Sequence, residues 1–233
     1  MDEPDRIEAL SRVVLLDGMS RSQVERFAER CTFRSIDRGG TLATFGEDAS
    51  DVFLVLSGRL AARSRSDDGR EVNFAAVEAG GLFGEFSAID GEPRSAEIVA
   101  LEASWVAQLT SARLREMVLV LPQTGLRLCE LLVAKNREMS QRLFEFATMS
   151  VQRRVFATLH RLALTRGEPG ADGRVDVALP PTQYEIATTA GTHRETVSRE
   201  MAALARDGVI AYDRRSLAIL DMAALRRRVE AES

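Results

Sequence analysis

Apolar positions change their period twice along this chain. Up to about residue 30 the spacing is helical, with Val24, Phe27 and Ala28 on one face. Ser20 precedes them, and serine is a common helix N-cap. From 32 to about 110 the apolar residues instead come in short runs (52–56, 60–62, 72–77, 98–101 and 105–109) between Gly- and Asp-rich breaks. Strands at that spacing predict an antiparallel sandwich or barrel. The helical period returns from 122 to 148, with Pro122 suited to a first turn. Ser150 is placed to cap a further helix, 151 to about 165. The stretch 166–173 is a turn-rich loop, and 175–179 reads as a short strand.

Within the long helix, Gly125, Leu132, Met139 and Phe146 recur at seven residues, and Cys129, Asn136 and Leu143 at another seven. The sets interleave as d and a positions of a coiled coil. Asn136 then holds a central a position, which fixes register and favours two strands at some cost in stability. On this reading Leu132, Asn136, Met139, Leu143 and Phe146 form a dimer seam. A helix packed on its own domain, with Asn136 at the edge, accounts for the same spacing.

After Pro180 and Pro181, Thr182 is placed to cap a helix that ends at Gly191. Thr192, His193, Arg194 and Glu195 match the Ser/Thr-x-x-Glu capping box and open a second helix with Val197, Met201 and Leu204 inward. The runs 209–211 and 217–220 flank 212–216 as a hairpin wing. Two short helices about a glycine turn form a helix-turn-helix, whose second helix enters the major groove by its N-terminal end. There Arg194 and Arg199 offer paired donors to guanine, and Glu195 an acceptor to cytosine, with Ser198 on the same face. Thr182, Thr192, His193, Arg214 and Arg215 are placed for phosphates. The plainer alternative is a solvated helix face on which Glu195 only closes the box.

Charge points the same way. The chain of 233 residues has a net charge of −4, but residues 151–233 hold 13 Arg against 11 acidic residues, while residues 1–150 are net acidic. Cys31 and Cys129 fit no disulfide framework or metal spacing and read as buried small hydrophobes. His160 and His193 make no zinc or haem cluster. No apolar run approaches a membrane span, and the acidic start is unlike a signal peptide, so a cytoplasmic protein without membrane contact is expected. No nucleophile–base pair or dinucleotide loop marks an enzyme.

The densest remaining stretch is 80–96. Gly84 permits close backbone approach, a short helical turn from Glu85 would aim N–H groups at an anion, and Arg94 and Ser95 add donors suited to phosphate. Glu85 is an acceptor for a ribose hydroxyl. An anion site beside a sugar site describes a nucleotide; a surface turn with an ion pair is the other reading.

Two motifs carry a resemblance that spans about residues 20 to 222. Gly84-Glu85-Phe86 with Pro93-Arg94-Ser95-Ala96, and Arg194-Glu195-Thr196-Val197-Ser198-Arg199, resemble the phosphate cassette and recognition helix of the cyclic AMP receptor protein (CRP/FNR) family of bacterial transcription regulators. Residues 51–58 also resemble its early β-roll signature. The resemblance implies an α+β chain with an N-terminal cyclic-nucleotide-binding β-roll (jelly roll) over 1–121, a dimerisation helix and hinge over 122–149, and a winged helix-turn-helix over 150–233. It implies a homodimer gated by cyclic AMP or cyclic GMP, reading a TGTGA-like palindrome in double-stranded DNA and contacting RNA polymerase. Arg94 and Ser95 would hold the cyclic phosphate, Gly84 a backbone contact and Glu85 the ribose.

The chain departs from the family pattern at three places. Met139-Ser140 stands where cyclic AMP binders carry Thr-Ser, and a thioether is at best a weak acceptor. That leaves cyclic GMP, weak cyclic AMP binding or loss of the response open. Lys135 replaces an Arg that supports the ribose carboxylate, and Gln183 a phosphate-contacting Arg. The N-terminal cysteines of the iron–sulfur branch and the ligand-domain His of the haem sensors are missing, which leaves a small diffusible effector. A regulator that binds DNA without nucleotide, or with another small ligand, is the alternative.

Overall fold

A computed structural model describes residues 2–65, 71–213 and 216–231. It divides into two units, Met1–Arg137 and Glu138–Ser233.

The first unit opens with helices α1 (Glu3–Ser11) and α2 (Arg21–Ala28), separated by a single 3-10 turn and by Gly18 at φ 82°. The helical start expected from the sequence is therefore broken in the middle. Ser20 caps α2 in a full capping box with Gln23. Eight strands follow: β1 (Thr32–Ile36), β2 (Thr41–Ala43), β3 (Val52–Ser57), β4 (Arg59–Arg65), β5 (Glu71–Glu78), β6 (Leu82–Phe83), β7 (Glu97–Ala100) and β8 (Ser104–Leu109). A short helix, α3 (Glu85–Asp90), lies between β6 and β7; α4 (Ser111–Val120) and α5 (Pro122–Thr148) come after β8. All pairings are antiparallel, in two four-stranded sheets ordered β1-β8-β3-β6 and β2-β7-β4-β5.

β3 explains its own sequence. Its alternate residues point to opposite faces. Phe53 and Val55 enter the core between the sheets with Leu60, Ile98 and Val106. Val52, Leu54 and Leu56 enter a second core built with Leu10, Val24, Phe27, Leu114 and Leu128 of the helices. A strand covered on both faces reads as an unbroken apolar run, as 52–56 does.

The second unit contains the end of α5, then α6 (Val151–Arg166), β9 (Gly167–Pro169), β10 (Val175–Ala178), α7 (Gln183–Ala190), α8 (Arg194–Arg206), β11 (Ile210–Tyr212), β12 (Ser216–Ile219) and α9 (Met222–Glu230). Its sheet runs β11-β12-β10-β9. One core joins Val155 and Leu159 of α6, Ile186 of α7, Val197, Met201 and Leu204 of α8, and Ile210, Leu217 and Ile219 of the hairpin. Ser150 caps α6 as expected. No single helix among the described residues is long and apolar enough to cross a membrane.

The last turns of α5 are fastened to this unit. Glu145, 6% exposed, takes a two-pronged bond from Arg161 of α6 at 3.0 and 2.9 Å and a third from Gln141 at 3.2 Å. Burial works to raise its carboxyl, but Arg161, Gln141 and the charge of Arg142 outweigh burial and hold it below the ordinary glutamate range. Phe146 lies against Gly191, and the Arg154 guanidinium sits 4.8 Å above the Phe146 ring. Arg154 also donates to Met149 O, Ala190 O and Gly191 O, the last carbonyls of α5 and α7.

Two outcomes are expected from this fastening. Gly191 has φ 61°, and a Cβ there would lie 2.3 Å from Phe146 Cε1, so Gly191→Ala should cost about 2 kcal/mol in urea unfolding. The loss should shrink when Phe146→Ala is added. Glu145→Gln should destabilise the unit at neutral pH. Because the folded carboxyl titrates low, the parent's advantage is present above the ordinary glutamate range and fades as pH falls through its lowered value. A gap between parent and variant that stayed constant from neutral to acid would contradict the assignment.

Candidate functional site

The stretch 80–96 folds into a cradle within the first unit. Gly84 is the N-cap of α3 at φ 86°. A Cβ there would lie 2.4 Å from Asp51 O and 2.6 Å from Arg94 Nη1, so no other residue fits. Arg94 is 5% exposed and donates to Asp51 O at 2.7 Å and Gly84 O at 3.4 Å. Its guanidinium lies 5.7 Å from the Phe53 ring centre, and Phe53 stacks on Phe83. Nε is buried without a partner, and among the described residues no carboxylate pairs with the group. Burial pushes Arg94 below the usual arginine range, opposed at longer distance by Glu47, Asp51 and Glu85. The direct hydrogen-bond partners of this buried cation are thus carbonyl oxygens.

Glu85, 4% exposed, is the first residue of α3. Lys135 of α5 donates to its Oε1 at 2.6 Å and to Leu82 O at 3.2 Å. Lys135 thus keeps the charge partner of Glu85 while lacking the planar fork of an arginine. Phe86, next in the chain after Glu85, and Ser95, next after Arg94, are exposed. Arg115 of α4 was not foreseen. It donates to Ala88 O and Ile89 O, both at 3.1 Å, and so holds the C-terminal carbonyls of α3. Met139 and Ser140 are exposed on α5 in the second unit.

In the second unit, Thr182 caps α7 and Glu185 returns the bond, a complete box. The box expected at Thr192 is a correction. α8 starts at Arg194, its N-cap is His193, and no side chain caps it. Thr192 instead gives its N–H to Ala187 O at 2.9 Å and closes the left-handed turn at Gly191. Glu195 is therefore released from capping and stands exposed with His193, Arg194 and Arg199. Ser198 is half-buried on the same side, while Val197, Met201 and Leu204 fill the core. Arg214 and Arg215 lie outside the described residues.

One further residue behind this face went unforeseen. Glu200, 6% exposed, accepts from Arg199 Nε at 3.1 Å and from Gln152 Nε2 of α6 at 2.6 Å. The one available signal was a carboxylate bordering the apolar stripe of α8.

Of the residues proposed for a dimer seam, Leu132 packs partly against the core of the first unit, and Gly125 approaches Val118. Phe146 touches Gly191 but is 41% exposed. Asn136, Met139 and Leu143 are exposed. So is Cys129, which corrects its reading as buried, because it lies on the side of α5 turned away from its own core. Cys31 follows that reading in part: it is half-buried against the core, and burial pushes its thiol up to about 12, against the pull of Arg113.

Comparisons with known proteins find one domain in each half of the chain. The cyclic nucleotide-binding domain matches residues 33–119 and the Crp-like helix-turn-helix domain residues 153–228. The chain is 27% identical over 221 residues to the CRP-like cAMP-activated global transcriptional regulator of Mycobacterium tuberculosis, covering 95% of this chain and 98% of that one. It is 28% identical over 175 residues to the cAMP-activated global transcriptional regulator CRP of Haemophilus influenzae, covering 74% and 77%. Its fold matches a CooA mutant from Carboxydothermus hydrogenoformans with a TM-score of 0.78 at 21% identity, over 91% of each chain. A cyclic nucleotide-binding domain followed by a Crp-like helix-turn-helix domain, with relatives alike over nearly the whole chain, places this chain in the CRP/FNR family of DNA-binding transcription regulators.

Proposed function

We propose that this protein is a homodimeric regulator whose DNA binding is gated by a cyclic nucleotide. The observation that carries the reading is Arg94, a cation held in the interior of the cradle with an unpartnered Nε and, among the described residues, no carboxylate in salt-bridge contact. A cyclic phosphate supplies the missing charge, with Ser95 and the α3 N–H groups as further donors. Glu85, oriented by Lys135, accepts from the ribose. On the DNA side Arg194, Glu195 and Arg199 read the edges of a TGTGA-like half-site, and two-fold symmetry sets the second half-site ~34–36 Å away. His193, Thr182 and Thr192 lie nearest the backbone of the duplex. RNA polymerase is the downstream partner implied for a cytoplasmic activator or repressor of this kind.

The seam we propose differs from the one read in the sequence. Leu126, Cys129, Val133, Asn136, Ser140 and Leu143 are all exposed and recur at alternating steps of three and four, the spacing of a two-stranded coiled coil. Asn136 keeps its role in setting register.

Met139 favours a second reading in one respect. Where cyclic AMP binders of the family carry a hydroxyl, the thioether offers the base almost nothing. The protein would then answer to cyclic GMP, or bind DNA without nucleotide.

Thermal unfolding with each nucleotide separates these readings. A ligand at about 100 times its Kd stabilises by ~2.7 kcal/mol, so whichever of the two is the effector should raise the Tm. Arg94→Leu should unfold like the parent and show no shift. No shift in the parent at millimolar cyclic AMP or cyclic GMP would remove nucleotide gating. For the seam, Val133→Glu with Leu143→Glu, both at exposed positions, should give a folded monomer in sedimentation and weaken palindrome binding at least tenfold, through loss of bivalency. A monomeric parent, or a variant that stays dimeric, would refute it.

A further inference from the structure

The base-reading face of α8 is backed by a carboxylate that nothing in the family reading requires. Glu200 points inward and is 6% exposed, yet it follows Arg199 directly in sequence. Its Oε1 takes the Arg199 Nε–H at 3.1 Å, and its Oε2 takes Gln152 Nε2 at 2.6 Å. The Arg199 side chain remains 70% exposed. We infer that Glu200 and Gln152 are positioning residues for Arg199, which fix the end of its guanidinium for a guanine. The inference rests on the DNA reading proposed above.

An exposed arginine samples many rotamers, and immobilising it at an interface weakens binding. A bond at Nε removes part of that freedom in advance. It also decides which edge of the planar fork is spent inside the protein. With Nε engaged, Nη1 and Nη2 stay free side by side, the pair that matches O6 and N7 of guanine. Without Glu200 the same side chain could turn to a phosphate, which carries no sequence information. Gln152 holds the other carboxylate oxygen, so the carboxylate cannot swing toward solvent with the arginine. Gln152 also lies in the first turn of α6, two residues after its cap Ser150, where α5 passes into α6. Any displacement of that turn therefore reaches the Arg199 fork through one shared carboxylate.

The alternative is that Glu200 only ties α6 to α8. A double-mutant cycle separates the two roles. Full-length protein is titrated, with saturating cyclic AMP or cyclic GMP, against the TGTGA palindrome. The same titration is run on duplexes in which each guanine of the half-site is replaced in turn, and on a scrambled duplex. Arg199→Ala identifies the guanine it reads. Glu200→Gln, an isosteric change, should cut discrimination at that same guanine by about fivefold, a part of what a bidentate contact supplies. It should leave the scrambled duplex within about twofold of the parent, and it should have no further effect in the Arg199→Ala background. Gln152→Ala, at an exposed position, should act in the same direction and carries the test if Glu200→Gln fails to fold. Unchanged discrimination in these variants, or a loss that persists without Arg199, overturns the inference. A parent that fails to prefer the palindrome overturns the DNA reading itself, a separate result.

Discussion

A buried guanidinium with, among the described residues, no carboxylate in salt-bridge contact is the constraint around which the first unit is built. Arg94 is held by the carbonyls of Asp51 and Gly84 and by the face of Phe53. Removing such a charge from water is costly, and carbonyl dipoles return only part of that cost. The neighbouring chain is organised to tolerate it. Gly84 cannot carry a side chain, because the guanidinium and a carbonyl occupy that space. β3 supplies Asp51 at its entry and Phe53 on its inner face, and both depend on the strand being packed on two sides. α3 begins at the same glycine and is gripped at its far end by Arg115. The cradle is thus held in shape by bonds within the chain itself.

The second unit uses arginines in another way. Arg154 collects carbonyls at the ends of two helices and covers an aromatic ring. Arg161 neutralises a buried carboxylate. Neither is spare. The arginines left to face outward on α8 are the ones whose neighbours hold the helix in place without blocking its outer edge. A glycine turn closed by the Thr192 backbone does the same at the start of α8, since it sets the helix without occupying Glu195.

Much of this was legible in the residues, and the failures have physical causes. The apolar runs identified β3, β4, β5, β7 and β8, and β3, β7 and β8 are largely buried. β1, β2, β6 and β9 were missed; β1 is mostly exposed, and the other three span three, two and three residues. Residue type alone placed Cys31 only in part, since it is half-buried, and misplaced Cys129, since the face of a helix depends on what packs against it. Seven-residue spacing marks a face of α5 without saying whether it meets a partner or its own domain; Leu132 packs partly on its own core, and Phe146 touches Gly191 while staying exposed. Thr192 matched a capping box in sequence, but its backbone was already committed to the preceding turn. Glu200, Gln152 and Arg115 act through contacts between residues distant in the chain or aimed across a helix, which no local pattern encodes.

The attachment of the final turns of α5 has a practical consequence. A DNA-binding fragment excised at Ser150, where the connection between helices invites a cut, would strip Gly191 of its aromatic cover and leave Arg161 facing an absent carboxylate. The natural point of excision lies a dozen residues upstream, at Glu138. What works as a linker by its position in the chain is, by its bonds, a part of the recognition module.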